Sequence, residues 1–170
     1  FRDEHLKFCD ENDILGRVWI SEEGINGTVS GTKYNIEKYK TEMKKYPEFE
    51  DIWFKEDKHN EHAFRKIHVR VKKEIVNADF GKVDLSKTAR RLKPEELLEF
   101  YENGKEFVIV DARNEYESVV GKFKNSITPA MDTFRDWPSV VEELDHLKSK
   151  TIVTYCTGGI RCEKASALMV

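Results

Sequence analysis

The chain has 170 residues, 39% of them hydrophobic and 36% charged, with a net charge of −3. That length suits one ordinary domain or two small ones, and the composition is that of a globular protein with a heavily charged surface. No apolar stretch approaches the length of a membrane-spanning helix and no secretory signal pattern opens the sequence, while three cysteines (Cys9, Cys156, Cys162) fit a reducing cytoplasm better than a disulfide framework.

Residues 2–13 show short helical spacing, which Gly16 is expected to end. Residues 17–20 read as a strand, 22–27 as a turn segment with two glycines and an asparagine, and 28–30 as the returning strand of a hairpin. Residues 32–46 form a second helix, closed by Pro47, with Tyr34, Ile36, Tyr39 and Met43 as its apolar contacts. Two further strands are predicted, a short one at 52–54 and an alternating one at 67–71. This order is that of an α+β ferredoxin-like, or acylphosphatase-like, domain over residues 1–74 that lacks its first strand.

Residues 65–93 carry ten basic side chains against three acidic ones, net +7, between segments 1–64 and 94–170 that each net −5. A concentrated basic segment is the electrostatic footprint of a phosphate-backbone binder, and a solvated linker with scattered charge fits the composition about as well. The candidates for such contacts are Arg70 and Lys72 on one face of a strand, Lys73 on the other, and Arg90, Arg91 and Lys93 further on. Residues 75–93 read as a basic linker.

Residues 94–170 alternate helix and strand, as in an α/β domain with a parallel sheet. Pro94 opens a helix over 94–101, residues 107–110 make a buried strand, 139–147 a helix and 151–155 a second strand. Asp111 and Arg113 stand at the C-terminal end of the first strand, where sites form in open α/β sheets, so they are rim candidates. The second strand runs into Cys156-Thr157-Gly158-Gly159-Ile160-Arg161 and then a helical stretch at 163–169. A strand–loop–helix turn of this kind aims backbone N–H groups and a helix start at the sulfur, which favours the thiolate. Arg161 is a fixed cation for the sulfur or for a bound anion. Cys162 either resolves an oxidised Cys156 or packs beneath the helix, and packing is the preferred reading.

Four residues separate Cys156 from Arg161, one fewer than in the phosphate-wrapping loop of cysteine phosphatases. The shorter ring resembles the rhodanese loop, which holds a sulfur-sized group as a cysteine persulfide. The stretch from Val110 to Glu117, continuing through Gly121 to Pro129, resembles the same fold. In the first half, Glu23-Gly24-Ile25-Asn26-Gly27-Thr28 and Val71-Lys72-Lys73-Glu74-Ile75-Val76 complete a pattern similar to the rhodanese-related tRNA uridine hydroxylase family. The resemblance implies an oxygen-dependent enzyme that forms 5-hydroxyuridine at the tRNA wobble position. Cys156 would be its persulfide-forming residue, tRNA its partner and molecular oxygen its co-substrate. Lys122-Phe123 departs from the usual Gly-His-Ile step, and the chain is expected to be truncated at both ends, the second domain within the helix after Cys156.

Two other readings stay open: a plain sulfurtransferase, and a non-catalytic RNA-binding module. No metal or flavin motif is evident, and His59, His62 and His68 read as solvated rather than as ligands. Glu22 and Glu23 are expected to face water, and at least two of Trp19, Trp53 and Trp137 to be buried.

Overall fold

In the computed structural model, which describes residues 1–170, the chain forms two compact units, Phe1–Ile75 and Val76–Val170. The first is built on a hairpin of β1 (Leu15–Ser21) and β2 (Gly24–Ser30). Leu15 pairs with Ser30 and Ser21 with Gly24, so only Glu22 and Glu23 make the turn, which is tighter than the sequence suggested. Gly24 takes the positive φ of 130° at the start of β2. β3 (Ile67–Val71) adds parallel to β1 on its other side, giving the order β2-β1-β3.

α1 (Arg2–Glu11) carries Asp3 and Glu4 in its first turn, where they complement the helix dipole. It is not Gly16 that stops this helix. The chain reverses at Asp13, which adopts φ 49°, and Gly16 lies inside β1. A Cβ on Gly16 would press into the carbonyl oxygen of Thr28 on the paired strand, so close approach of two backbones is what requires glycine there. α2 (Lys33–Met43) is capped by Thr32, whose hydroxyl accepts from the Asn35 N–H at 3.2 Å. Its Tyr39 and Met43 join Cys9 and Ile14 in a core completed by Ile25, Val29 and Ile67. His5 is buried in that core beside the Tyr39 hydroxyl at 3.0 Å, and burial lowers its pKa to about 4.

The expected strand at 52–54 does not form, because a strand exists only through its ladder and these residues have none. Ile52 and Phe54 pack on the core all the same. The 23–28 and 71–76 segments that carry the resemblance in this half meet at Ile75. Its N–H donates to Glu23 Oε2 at 3.1 Å and its carbonyl accepts from Asn26 Nδ2 at 2.9 Å. Glu23 is thus tied to backbone rather than facing water.

In the second unit, β4 (Val108–Asp111) and β5 (Ile152–Tyr155) pair in parallel, Val108 opposite Ile152 and Asp111 opposite Tyr155. α3 (Pro94–Glu102) precedes β4, α4 (Glu115–Val120) follows it, and α5 (Trp137–Glu143) leads through a 3₁₀ turn (Leu144–Leu147) towards β5. α6 (Ile160–Leu168) closes the unit. Val110, Ala112, Met131, Phe134, Trp137 and Ala165 make its core, and the Trp137 indole donates to the Ala165 carbonyl at 3.2 Å. Trp137 is the one fully buried tryptophan; Trp19 is half-buried and Trp53 exposed.

Residues 76–93 are not a loose linker. Ala78 is completely buried in the second core, Val76 and Phe80 pack against it, and a short 3₁₀ turn (Leu85–Lys87) lies against α6. Thr88 Oγ1 donates to the Glu163 carbonyl at 3.2 Å, and the Ala89 N–H donates to Ser166 Oγ at 3.0 Å. Apolar residues inside the basic run anchor it as a strap.

Candidate active site

β5 delivers Cys156 to the carboxyl edge of the two parallel strands, and α6 begins four residues later. The turn between them is possible because Gly159, the N-cap of α6, takes φ 90°. That conformation sends the Gly159 N–H back to Cys156 Sγ at 3.0 Å. The Cys162 thiol also donates to the sulfur, as do the backbone N–H groups of Cys162 and Arg161. Together these donors hold the Cys156 pKa far below the ordinary thiol value, the Cys162 thiol first among them, against the opposing effect of burial. Cys162 shifts the other way: donating to Cys156 and being buried both make its proton harder to lose. Cys162 packs against the core of this unit and hydrogen-bonds the Cys156 sulfur as well.

Arg161 serves two anions, the Cys156 sulfur and, more strongly, a carboxylate on a neighbouring helix. It donates to both oxygens of Glu117 on α4, at 2.6 and 2.8 Å, and to Thr157 Oγ1 at 3.1 Å. Thr157 in turn donates to Glu117 Oε1 at 2.8 Å, and the Asn114 N–H reaches Oε2 at 3.2 Å. Glu117 is held at a pKa of about 2, chiefly by the Arg161 hydrogen bonds. The pair is bidentate and mostly shielded, with side-chain exposures of 14% for Arg161 and 19% for Glu117. It ties the loop to a neighbouring helix. Gly158 and Ile160 complete the ring, with open space around Gly158.

Asp111 and Arg113 do lie at the strand ends, but each is turned onto the other. Arg113 donates through Nε and Nη2 to Asp111 at 2.9 and 2.7 Å, and through Nη2 to the Gly121 carbonyl at 2.6 Å. Tyr155, directly before Cys156, donates its hydroxyl to Asp111 Oδ2 at 2.6 Å. Burial would raise the Asp111 pKa, yet the bonds from Arg113 and Tyr155 outweigh it and keep the carboxylate charged. This trio braces the end of β5.

The basic candidates fall in different units. Arg70, Lys72 and Lys73 are exposed in the first, with the Lys72 ammonium 5.4 Å from the centre of the Trp19 ring. In the second, Arg90 pairs with Glu96 at 2.7 Å and Arg91 with Glu163 at 2.8 Å, while Lys93 is the N-cap of α3. Arg91 also lies beside the loop, its guanidinium 3.8 Å from where a Cβ on Gly159 would stand. Among the histidines, His59 binds the backbone of Glu61 and His62 meets Ser30 Oγ at 3.2 Å. The sequence reading missed Glu117 and Tyr155. Glu117 had a signal, one of two acids in the first turn of a short helix and four residues after Arg113.

Comparison with known proteins covers both units. Residues 1–75 match the UPF0176 acylphosphatase like domain and residues 93–170 the rhodanese-like domain. A protein of Cytophaga hutchinsonii named tRNA uridine(34) hydroxylase is 47% identical over all of this chain and 54% of its own length. Proteins of the same name from Acholeplasma laidlawii and Bacillus velezensis are each 46% identical, over 54% and 53% of their lengths. The chain thus spans about half the length of the curated relatives it matches. With both domains matched in order along one chain, this protein joins a UPF0176 acylphosphatase like domain to a rhodanese-like domain.

Proposed function

We propose that the chain is part of a cytoplasmic enzyme that hydroxylates the wobble uridine of tRNA to 5-hydroxyuridine, with molecular oxygen as co-substrate and Cys156 as the residue nearest the pyrimidine ring. The observation that carries the reading is the sulfur cradle: backbone N–H groups and a thiol converge on Cys156 and favour a thiolate or a persulfide anion. The name shared by the relatives supplies the substrate class. A wobble uridine is already unpaired, so presenting it to a loop takes little unstacking. Thr157, Gly158, Gly159 and Ile160 shape the ring, and Glu117 with Arg161 fixes it to α4.

Sulfur transfer through a Cys156 persulfide is the second reading, supported by the same cradle. It gives no part to the acylphosphatase-like unit that is matched in order with the rhodanese-like one. Nucleoside mass spectrometry of tRNA from cells whose protein carries Cys156→Ala tests the proposal. Loss of 5-hydroxyuridine is expected, and an unchanged level overturns the catalytic role. Thiocyanate formation by the purified protein, compared with hydroxyuridine formation, separates the two activities.

A further inference from the structure

The sheet of the first unit has a second face that the proposed reaction does not use. Side chains alternate along β1, so Val18 points to the side where α1 and α2 pack, while Arg17 and Trp19 point away. The register then decides their neighbours. Arg17 lies between Thr28 and His68, and Trp19 between Asn26 and Arg70. Lys72 continues the ladder through its N–H to the Ile20 carbonyl at 2.8 Å, and its ammonium stands over Trp19. Phe64 borders the same face, where Arg17, Trp19, Asn26, Gly27 and Thr28 line a shallow groove of about 230 Å³.

Arg17, Arg70 and Lys72 enter none of the molecule's ion pairs, in contrast to Arg90 and Arg91. The potential there is positive enough to register on His68, whose pKa is lowered by burial first and then by Lys66, Arg70 and Arg17. An open sheet face that combines a half-exposed aromatic ring with unpaired cations suits a nucleotide chain, since bases stack on rings and phosphates meet charge. A protein cover fits poorly, because it would bury three unpaired cations.

We propose that this face, centred on Trp19 and Phe64 with Arg17, Arg70 and Lys72 around them, binds a single-stranded stretch of RNA. The inference rests on the RNA-modifying reading and names a contact surface remote in sequence from the Cys156 loop. Whole protein is titrated with a labelled anticodon stem-loop and with an oligouridylate of equal length, over a series of salt concentrations. Trp19→Ala weakens both roughly tenfold, the scale of one lost base stack, and Trp19→Phe retains most of the affinity. Arg17→Ala and Arg70→Ala each lower affinity and reduce the slope of log K against log salt by about one. The iodoacetamide rate at Cys156 stays at the parental value in every variant. Parental affinity and salt slope in folded Arg17→Ala and Arg70→Ala proteins overturn the proposal, and so does a lowered melting temperature without any change in RNA binding. Binding is read without turnover, which separates this surface from the reaction. If Cys156→Ala spares 5-hydroxyuridine while the arginine variants lose RNA, the catalytic role of Cys156 fails and the surface stands.

Discussion

At the scale of single residues, the chemistry turns on where one sulfur finds its hydrogen bonds. Cys156 is short of water but not of donors, and the donors outweigh burial. A thiol with a lowered pKa is thiolate above that value, so its reactivity is present at neutral pH and lost as pH falls through it. The rate of alkylation by iodoacetamide should therefore be flat from neutral pH downward and halve near about 5. Cys162→Ala removes the leading donor, so the midpoint should rise towards the ordinary thiol range and the rate at neutral pH should drop. A parental profile in that variant would show that backbone N–H groups alone set the charge. Gly159→Ala attacks the same point through the backbone. At φ 90° a side chain is strained by about 1–2 kcal/mol, so the variant should lose both stability and alkylation rate, read by melting and by mass spectrometry.

At the scale of elements, α4 and α6 are joined through Glu117 and Arg161 rather than through a large apolar contact. Replacing Glu117 with Gln leaves the part-buried Arg161 without its carboxylate partner, and a loss of roughly 1–3 kcal/mol is expected. The pH dependence follows from the direction of the shift. Glu117 titrates at about 2 in the folded chain, against about 4.3 for an unperturbed glutamate. Its contribution is complete above the unfolded value and disappears as pH falls towards the folded one. Melting curves of parent and Glu117→Gln should differ most at neutral pH and converge in acid. A gap that is constant with pH would mean that packing, not charge, holds the two helices.

At the scale of the whole molecule, the division into two units falls after Ile75, so the strap at 76–93 belongs with the second. Ala78 is the sharpest test because nothing of it is exposed. Ala78→Asp puts a carboxylate into the core beside Val110 and Phe134, and a loss of about 3 kcal/mol or more is expected in the melting of the second unit. An unchanged melting curve would return residues 76–93 to the status of a solvated linker.

Much of this was legible in the residues alone. Period-two alternation exposed Ile67–Val71 as a strand, and β-branched runs exposed the two parallel strands, because burial leaves its mark on each position separately. The strand–loop–helix form around Cys156 was equally plain, since two glycines and a nearby helix start are local requirements of a turn. The pairing of an acylphosphatase-like with a rhodanese-like half followed from motifs in order. What the sequence could not decide depends on neighbours distant in the chain. The 52–54 run looks like a strand but has no ladder, and Gly16 looks like a helix stop but is demanded by Thr28 across the sheet. Arg161 reads as a cation for the sulfur or a bound anion, but that Glu117, 44 positions away, is its principal partner is decided only by the fold. Local conformation is written in local sequence; partners are set by the fold, because an ion pair, a ladder or a buried strap exists only once two remote segments are brought within a few ångströms.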